Sequence, residues 1–386
     1  MIIEPKVRGF ICTTAHPEGC RESVQRQIEY VKRHEIKKGP KKVLIIGAST
    51  GYGLASRIAV TYTYGASTLG VMYEKPASDR RTATPGFYNT KAFEEQAQKD
   101  GYYAATINGD AFSKEIKEQT IQQIKKELGK VDLVIYSLAA PRRTTNDQKT
   151  YSSVLKTTGE TFTNRSLDLR TNELTKVTIE PATKEEEEAT VKVMGGEDWM
   201  DWMLCLQKAD VLEKNVKTVA YSYIGPELTY PIYYQGTIGL AKQHLYETSL
   251  DLMKVLEPLA GSAFISVNKA LVTQASSAIP IVPLYISVLY KIMKAKGIHE
   301  GCIEQMDRLY AECLTKDEIP TDELGRIRMD DYEMREDVQA EVAKCWNEIN
   351  EENLKQYADI DGYWEDFYHM FGFHYDNVDY TKEVEL

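Results

Sequence analysis

The chain has 386 residues, 42% of them hydrophobic, which suffices for a full-sized core without disulfide or metal staples. Its 47 basic and 58 acidic residues give a net charge of −11, which argues against nucleic acid or an anionic membrane as a partner. Six scattered cysteines without a Cys-x-x-Cys pair, the lack of a signal peptide and the lack of a long apolar run predict a cytoplasmic protein with reduced thiols, no metal site and no membrane span.

In chain order, a polar helix over Glu18 to His34 precedes the continuous apolar run Val43 to Ile46, which is typical of a strand buried on both faces. Further strand-like runs then alternate with amphipathic helical stretches such as Ser113 to Leu128. This alternation predicts an α/β fold, a Rossmann-type doubly wound parallel sheet with an N-terminal helical extension. The further strands are predicted at Ser67–Tyr73, Tyr103–Ile107, Leu133–Leu138, Thr218–Tyr223 and Ala263–Val267.

Two regions interrupt the alternation. The polar stretch from Arg142 to Lys192 predicts an insertion, a hairpin followed by a helix, and its acidic run 185–188 is typical of a solvated helix face. Beyond Gly297 the pattern turns helical, over Glu300 to Leu314 and Asp330 to Glu348. We expect one enlarged domain, divided into a cofactor-binding half (42–140), an insertion (141–215), a catalytic and substrate-loop half (216–300) and a C-terminal helical extension (301–386).

A glycine-rich turn follows the first long strand, as expected of a phosphate-binding loop. It reads Gly47-Ala48-Ser49-Thr50-Gly51-Tyr52-Gly53 and opens a helix, so backbone N–H groups can face a pyrophosphate. Gly47 permits the tight turn, Gly51 the approach of phosphate oxygens, and Gly53 the packing of helix on strand. A glycine cluster between a strand and a helix predicts dinucleotide binding.

An acid closes the next predicted strand, at Tyr73-Glu74. A carboxylate there accepts hydrogen bonds from the adenosine ribose hydroxyls and repels a 2′-phosphate, which favours NADH over NADPH. Later strand ends supply further cofactor candidates, because open α/β sheets bind ligands at the carboxyl ends of their strands. These candidates are Asp110, Ala111, Leu138 and Ala139.

The segment from Tyr221 to Lys242 contains several tyrosines, and Tyr233 and Lys242 are separated by eight residues. Residues nine positions apart lie on opposite sides of one helix, since each residue turns the axis by about 100°. Glycines 236 and 239 and a proline at 231 indicate that Tyr233 occupies an irregular lead-in and that the helix bearing Lys242 begins near Thr237. We also expect these glycines to let the backbone lie close to the cofactor.

The glycine spacing Gly-x3-Gly-x-Gly resembles the short-chain dehydrogenase/reductase superfamily, but that superfamily's Tyr-x3-Lys is absent. Together with Tyr-x8-Lys, several motifs closely resemble the FabV-type enoyl reductases, which include the trans-2-enoyl-CoA reductases, over nearly the whole chain. These motifs are His16–Cys20, Val193–Trp199, the Ser-Tyr-Ile-Gly-Pro that ends at Pro226, and Ser266–Thr273.

The resemblance implies NADH-dependent reduction of a trans-2-enoyl thioester. It implies that Tyr233 donates a hydrogen bond to the enolate, that Tyr223 binds substrate and that Lys242 contacts the cofactor and acts in catalysis. We expect the lysine charge, about 6 Å away, to lower the pKa of the tyrosine. Several family members carry a second lysine where Gln243 stands, which puts a two-lysine mechanism in doubt.

Leu271, Val272 and Thr273 correspond to the family's nicotinamide-side loop, and the apolar segment 275–290 after it reads equally well as a cover for the acyl pocket or as a core helix. The resemblance implies a small-molecule acyl thioester as the partner, with enoyl-acyl-carrier protein as the alternative to enoyl-CoA. A non-catalytic dinucleotide sensor stays open as a further alternative. For the CoA nucleotide we expect a basic patch at Arg142 and Arg143. The resemblance implies a monomer or dimer.

Overall fold

A seven-stranded parallel sheet forms the centre of the structure, a computed structural model that describes residues 1–385. The strands of the described residues are β1 (Val7–Arg8), β2 (Ile11–Cys12), β3 (Lys42–Ile46), β4 (Ser67–Met72), β5 (Ala104–Asn108), β6 (Val131–Tyr136), β7 (Arg142–Thr144), β8 (Thr150–Ser152), β9 (Phe162–Asp168), β10 (Glu173–Ile179), β11 (Leu212–Ser222), β12 (Ser262–Val267) and β13 (Ile327–Arg328).

The α-helices surround this sheet, and further helices lie before its first strand and after its last strand in the chain. They are α1 (Pro17–Val31), α2 (Gly51–Tyr64), α3 (Pro85–Lys99), α4 (Lys114–Gln123), α5 (Lys184–Met194), α6 (Glu197–Lys208), α7 (Thr237–Leu256), α8 (Val282–Ala295), α9 (Cys302–Arg308), α10 (Glu336–Glu348), α11 (Leu354–Tyr357) and α12 (Ile360–His369). Single π-helical turns continue α4 and α9.

The strand order of the central sheet is β13-β12-β11-β6-β3-β4-β5, and every pairing is parallel. The chain winds outward from β3 through β4 to β5 and then returns to the other side of β3 at β6. The strand order therefore reverses between β3 and β6, and open α/β sheets bind dinucleotides at such a point. This arrangement confirms the predicted doubly wound α/β fold.

The alternation of side chains along β3 divides the interior into two layers. Val43 and Ile45 pack with α1, α2, α3 and α9, whereas Leu44 and Ile46 pack on the other face with α4, α6 and α7. All four side chains are fully buried, which explains why the strand is a continuous apolar run rather than an alternating one.

A third cluster of buried side chains lies beside the carboxyl ends of β11 and β12. It is built on α8, with α10 and α12 and the hairpin β9–β10 packed against it. Every residue of α8 from Val282 to Tyr290 is buried, so this apolar segment is a core helix. The same cluster includes Leu271 and Val272, which precede α8 in the chain.

The insertion differs from its prediction in one respect. It contains two hairpins, β7–β8 and β9–β10, followed by α5, where one hairpin is expected. The acidic run opens α5, in which Thr183 and Glu186 form a reciprocal capping box and the carboxylates lie at the favourable end of the helix dipole. That the chain forms one enlarged domain with the four parts given above stays a prediction.

Candidate active site

The glycine loop joins β3 to α2 at the point where the strand order reverses. Gly47 has φ +87°, and a Cβ on it would lie 2.3 Å from the carbonyl oxygen of Ser137, at the end of the neighbouring β6. A Cβ on Gly53 would lie 1.8 Å from the carbonyl oxygen of Gly47. A Cβ on Gly51 would meet nothing closer than the Thr273 methyl group, 3.9 Å away. Two of the glycines thus allow close packing, and the third faces open space opposite Thr273.

Glu74 lies just beyond β4, and its carboxylate reaches the glycine loop. Ser49 Oγ donates a hydrogen bond of 2.6 Å to Glu74 Oε1. Asn108, at the end of β5, holds the Glu74 backbone with two hydrogen bonds of 2.9 Å. A Cβ on Gly86, at the start of α3, would lie 2.1 Å from Glu74 Oε1, so α3 also approaches the carboxylate closely. Glu74 is therefore oriented by three neighbouring segments.

The other predicted cofactor residues at strand ends lie along the same edge of the sheet. Asp110 follows β5, and its Oδ1 accepts a hydrogen bond from the backbone N–H of Phe112 beyond the buried Ala111. Leu138 and Ala139 follow β6, whereas Tyr73 projects into solvent with 79% of its surface exposed. Strand ends of one parallel sheet meet at one edge, and this brings these positions together.

Tyr223 and Tyr233 meet beyond the carboxyl end of β11. Their ring centroids are 4.9 Å apart and the rings are nearly perpendicular, at 85°. The Tyr223 hydroxyl donates a hydrogen bond to Glu333. The pKa of Tyr233, in contrast, is raised by burial alone. A Cβ on Gly225, where φ is +75°, would lie 2.7 Å from the Tyr223 hydroxyl, so this turn requires glycine.

The irregular lead-in predicted before Lys242 is present. Tyr233 lies in a series of turns from Glu227 to Gln235, and α7 begins at Thr237. Both glycines pack closely against this lead-in: a Cβ on Gly239 would lie 1.8 Å from the carbonyl oxygen of Tyr234, and a Cβ on Gly236 would lie 2.7 Å from that of Ile232. Their lack of a side chain thus serves the fold of the lead-in, and their expected closeness to the cofactor stays a prediction.

Lys242 points to the end of β11, where its Nζ donates a hydrogen bond of 2.9 Å to the carbonyl oxygen of Tyr221. Burial lowers the pKa of Lys242 to about 8, because the charged ammonium loses water there. Burial also raises the pKa of Tyr233 above its usual value of 10. The expected lowering of the tyrosine pKa by the lysine is thus wrong for these side chains, and Tyr233 stays a protonated donor at neutral pH.

The loop Leu271–Thr273 closes the site opposite the glycine loop. Its backbone is held from behind, since the N–H of Val272 donates a 3.1 Å hydrogen bond to the Tyr290 hydroxyl on α8. Thr273 exchanges hydrogen bonds with Ser276, and Leu271 and Val272 lie in the same buried cluster as Tyr233. The loop is thereby fixed between the carboxyl edge of the sheet and the tyrosines.

Tyr52 connects the same two parts of the site. Its hydroxyl, on the first turn of α2, donates a hydrogen bond of 2.7 Å to the carbonyl oxygen of Lys269. This link ties the glycine loop to the chain that enters the 271–273 loop.

Sequence reasoning missed Glu333, whose carboxylate lies behind Tyr223. It stands in the acidic stretch Asp330 to Glu333, which reads as solvated surface, and no local pattern distinguishes it.

The prediction of a basic patch at Arg142 and Arg143 is correct for the first residue and wrong for the second. Arg142 is exposed, but Arg143 is buried, donates to the carbonyl oxygen of Lys192 and faces carboxylates of α6.

One sequence motif proves to support the sheet rather than the chemistry. In the Val193–Trp199 motif, Asp198 is buried and accepts hydrogen bonds from Lys117 Nζ (2.6 Å) and the Tyr136 hydroxyl (3.0 Å). Trp199 Nε1 donates to Thr218 on β11.

Among the described residues, no group of three or more His, Cys, Asp or Glu side chains is arranged to hold a metal ion. None of the helices described is both long and apolar enough to cross a bilayer.

The strand, glycine loop and helix at a strand-order reversal, with an acid beyond the next strand, define a Rossmann-type dinucleotide-binding protein. Family models cover most of the chain. Residues 81–315 match the trans-2-enoyl-CoA reductase catalytic region, and residues 2–79 match the NAD(P)H binding domain of trans-2-enoyl-CoA reductase. Residues 321–384 match the enoyl reductase FAD binding domain. The chain belongs to the trans-2-enoyl-CoA reductase family.

Similar proteins match over their full length. The chain is 53% identical to a trans-2-enoyl-CoA reductase [NADH] of Ruminiclostridium cellulolyticum and 56% identical to an enoyl-[acyl-carrier-protein] reductase [NADH] of Flavobacterium johnsoniae, in each case over 100% of this chain and 98% of the relative. The structure of Clostridium acetobutulicum trans-2-enoyl-CoA reductase in complex with NADH superimposes with a TM-score of 0.97 at 46% identity, covering 100% of this chain and 98% of that one. The Treponema denticola enzyme in complex with NAD gives 0.96 at 50% identity, with the same coverage.

The described part of the segment 321–384 does not fit a flavin dinucleotide. A helix N-terminus that binds a pyrophosphate offers open N–H groups. Here α10 begins with Glu336 and Asp337, and Asp359 caps α12 by accepting from the Gly362 N–H. At α12 the Asp359 carboxylate thus occupies the place of a phosphate oxygen, and at α10 the two acidic side chains of the first turn disfavour an anion by their negative charge. The segment packs instead on α1 and α8.

Proposed function

We propose that this protein reduces the trans-2 double bond of enoyl-CoA thioesters with NADH. The observation that carries the proposal is the placement of Tyr233. Its side chain is buried, its ring packs on that of Tyr223, and it shares one cluster with Leu271 and Val272 of the 271–273 loop. Support comes also from the relatives named as NADH-dependent reductases and from those solved with NADH or NAD.

The residues proposed to bind the dinucleotide lie along one edge of the sheet. When NADH is bound, the glycine loop, residues 47–52, would hold its pyrophosphate, and Glu74 would accept hydrogen bonds from the adenosine ribose. Asp110, Ala111, Leu138 and Ala139 would contact the cofactor at the neighbouring strand ends. The exposed Tyr73 would contact it beside Glu74, and Lys242 and the loop Leu271–Thr273 would contact its nicotinamide side. A negative Glu74 held by Ser49 favours NADH over NADPH.

In the proposed reaction NADH, when bound, supplies a hydride to the β-carbon. Negative charge then develops on the thioester oxygen, and the Tyr233 hydroxyl donates a hydrogen bond to it. Because burial raises the tyrosine pKa, the hydroxyl keeps its proton until that charge develops. Tyr223 packs edge-on against Tyr233 and fixes its ring, and Lys242 holds the cofactor side of the site. The α-carbon then takes a proton from water, which completes the saturated thioester.

The enoyl-acyl-carrier-protein ester is a second candidate substrate, favoured by relatives named as enoyl-[acyl-carrier-protein] reductases at 56–58% identity. Both thioesters carry the same phosphopantetheine arm, so the buried site accepts either. We rank the CoA ester first because the net charge of −11 opposes an acidic carrier protein across a broad surface, whereas a nucleotide needs few cations and Arg142 is exposed. Location in the cytoplasm and a monomeric or dimeric state stay predictions.

The test follows NADH absorbance with crotonyl-CoA, with longer enoyl-CoAs, and with a CoA ester and an acyl-carrier-protein ester of the same chain. Tyr233→Phe removes one hydroxyl, so kcat should fall by about 10²–10³-fold, as on loss of an oxyanion donor, while NADH binding persists. The controls are Tyr234→Phe and Tyr230→Phe on the same lead-in, which should retain most activity. A wild-type protein that oxidises no NADH with any of these esters would refute the proposal, and a marked preference for the carrier-protein ester would reverse the substrate ranking.

A further inference from the structure

A buried carboxylate from the C-terminal part of the chain lies directly behind the candidate substrate tyrosine. Glu333 follows the edge strand β13, and its side chain has no solvent exposure. Its Oε1 accepts hydrogen bonds from the Tyr223 hydroxyl at 2.9 Å and from the Tyr285 hydroxyl at 2.7 Å. Its Oε2 accepts from the backbone N–H of Ala270 at 2.7 Å. Three donors, from the segment just after β11, from α8 and from the loop after β12, thus converge on one group.

The direction of these hydrogen bonds follows from the chemistry of the groups. An ionised carboxylate can accept hydrogen bonds but cannot donate them, and a tyrosine hydroxyl has a single hydrogen. While Glu333 is ionised, the hydrogen of Tyr223 is directed at Glu333 and away from any substrate. The Tyr223 oxygen can then accept a hydrogen bond from a substrate N–H but cannot donate one.

Opposing effects act on the charge of Glu333. Burial has the largest effect and raises the pKa of this carboxyl group, while the buried cation of Lys269, the Tyr285 hydroxyl and the Ala270 N–H offset part of that rise by stabilising the negative charge. Lys269 is itself buried and donates to the carbonyl oxygen of Ala270. The positive charge and the carboxylate therefore flank the same short stretch of backbone, which leads into the 271–273 loop.

We propose that Glu333 is a positioning residue of the active site, which takes up the hydroxyl hydrogen of Tyr223 and so leaves Tyr233 as the single tyrosine able to donate to the thioester oxygen. The same carboxylate anchors Ala270 and through it the loop that faces the glycine loop. This inference rests on the proposed function. It assigns to the C-terminal segment, which does not fit a flavin, a contribution to the thioester site.

The chain offers a matched control for this role. Tyr223 and Tyr285 donate to the same carboxylate oxygen, but the ring of Tyr223 packs on Tyr233 whereas Tyr285 lies in the core on α8. A merely structural carboxylate would couple to both tyrosines in the same way. A positioning carboxylate should couple to Tyr223 in catalysis and to Tyr285 only in stability.

The experiment is a pair of double-mutant cycles, Glu333→Gln with Tyr223→Phe and Glu333→Gln with Tyr285→Phe. Each variant is measured for kcat and KM with crotonyl-CoA, for NADH affinity by fluorescence, and for Tm. Glutamine has one acceptor atom where the carboxylate has two, so at least one of the three donors loses its partner. Glu333→Gln and Tyr223→Phe should each lower kcat/KM for crotonyl-CoA about tenfold, and the double variant should lose no more than the worse single one.

NADH affinity should stay within about threefold in all of these variants, and Tyr285→Phe should lower Tm while changing kcat/KM by less than about threefold. Additive effects of Glu333→Gln and Tyr223→Phe on kcat/KM, or equal coupling to Tyr285, would overturn the proposal. A lowered Tm with unchanged kcat/KM in Glu333→Gln would also overturn it. If Glu333→Gln does not fold, Glu333→Asp keeps the charge and shortens its reach, and the same comparison applies. Absence of activity in the wild type would count against the proposed function instead.

Discussion

Removal of the Lys242 ammonium tests the electrostatics of the site most directly. The side chain is half-buried on α7, and its Nζ donates to the carbonyl oxygen of Tyr221, which uses one of its three hydrogens. Two hydrogens therefore remain for a ligand. Lys242→Met keeps a linear apolar stem of similar length and removes the charge.

The expected effects of Lys242→Met on Tm and on kcat/KM for NADH follow from the pKa of Lys242 and from the strength of one charge-assisted hydrogen bond. The fall of the Lys242 pKa from 10.5 to about 8 corresponds to a cost of about 3 kcal/mol for keeping the charge in its buried place. Lys242→Met removes this cost, so Tm should not fall. A hydrogen bond to a charged group contributes about 1.5–3 kcal/mol, so kcat/KM for NADH should fall by roughly 10–100-fold.

The pKa of Lys242 also predicts the direction in which kcat/KM for NADH changes with pH. Lys242 is protonated below pH 8 and loses its charge as the pH rises through about 8. In the wild type kcat/KM for NADH should therefore be level below a pH of about 7 and should fall towards tenfold per pH unit above about 8. In Lys242→Met the profile should be level over the same range, at the lower value.

The assay is initial-rate NADH oxidation at saturating crotonyl-CoA, over a pH series in buffers of constant ionic strength, with Tm recorded at each pH. The result that would refute the reasoning is a step near pH 8 that persists in Lys242→Met. The titrating group would then lie elsewhere. Lys269, whose pKa burial also lowers to about 8, would be the next residue to replace.

Two further predictions concern the dinucleotide-binding edge. Glu74→Ala should narrow the preference for NADH over NADPH, compared as kcat/KM for the two cofactors, and a wild type that prefers NADPH would show that Glu74 has been misassigned. Gly53→Ala places a Cβ 1.8 Å from a backbone oxygen of the glycine loop, so NADH binding by fluorescence titration should be lost and Tm lowered. Gly159→Ala, where a Cβ meets nothing within 4 Å, is the matched control and should behave as the wild type.

Much of the fold and of the candidate site could be predicted from the sequence, because those features are local. The apolar run of β3 and the glycines after it specify a strand, a turn and a helix within about twenty residues of chain. Tyr233 and Lys242 could not serve one site from one continuous helix, and α7 begins at Thr237, as Pro231, Gly236 and Gly239 predict. The alternation of strands and helices predicts the parallel sheet in the same way.

Other features were decided only by tertiary structure. Glu333 looks like surface in its acidic stretch, and its burial depends on Tyr223, which is 110 residues away in the chain. The apolar segment after Thr273 reads equally well as a cover or a core helix until α10 and α12 pack on it. Lys242 was expected to act on a tyrosine hydroxyl, yet its partner is the backbone carbonyl oxygen of Tyr221. Periodicity and spacing report on neighbours along the chain, whereas burial, pKa and hydrogen-bond partners depend on which distant segments the sheet brings to one edge.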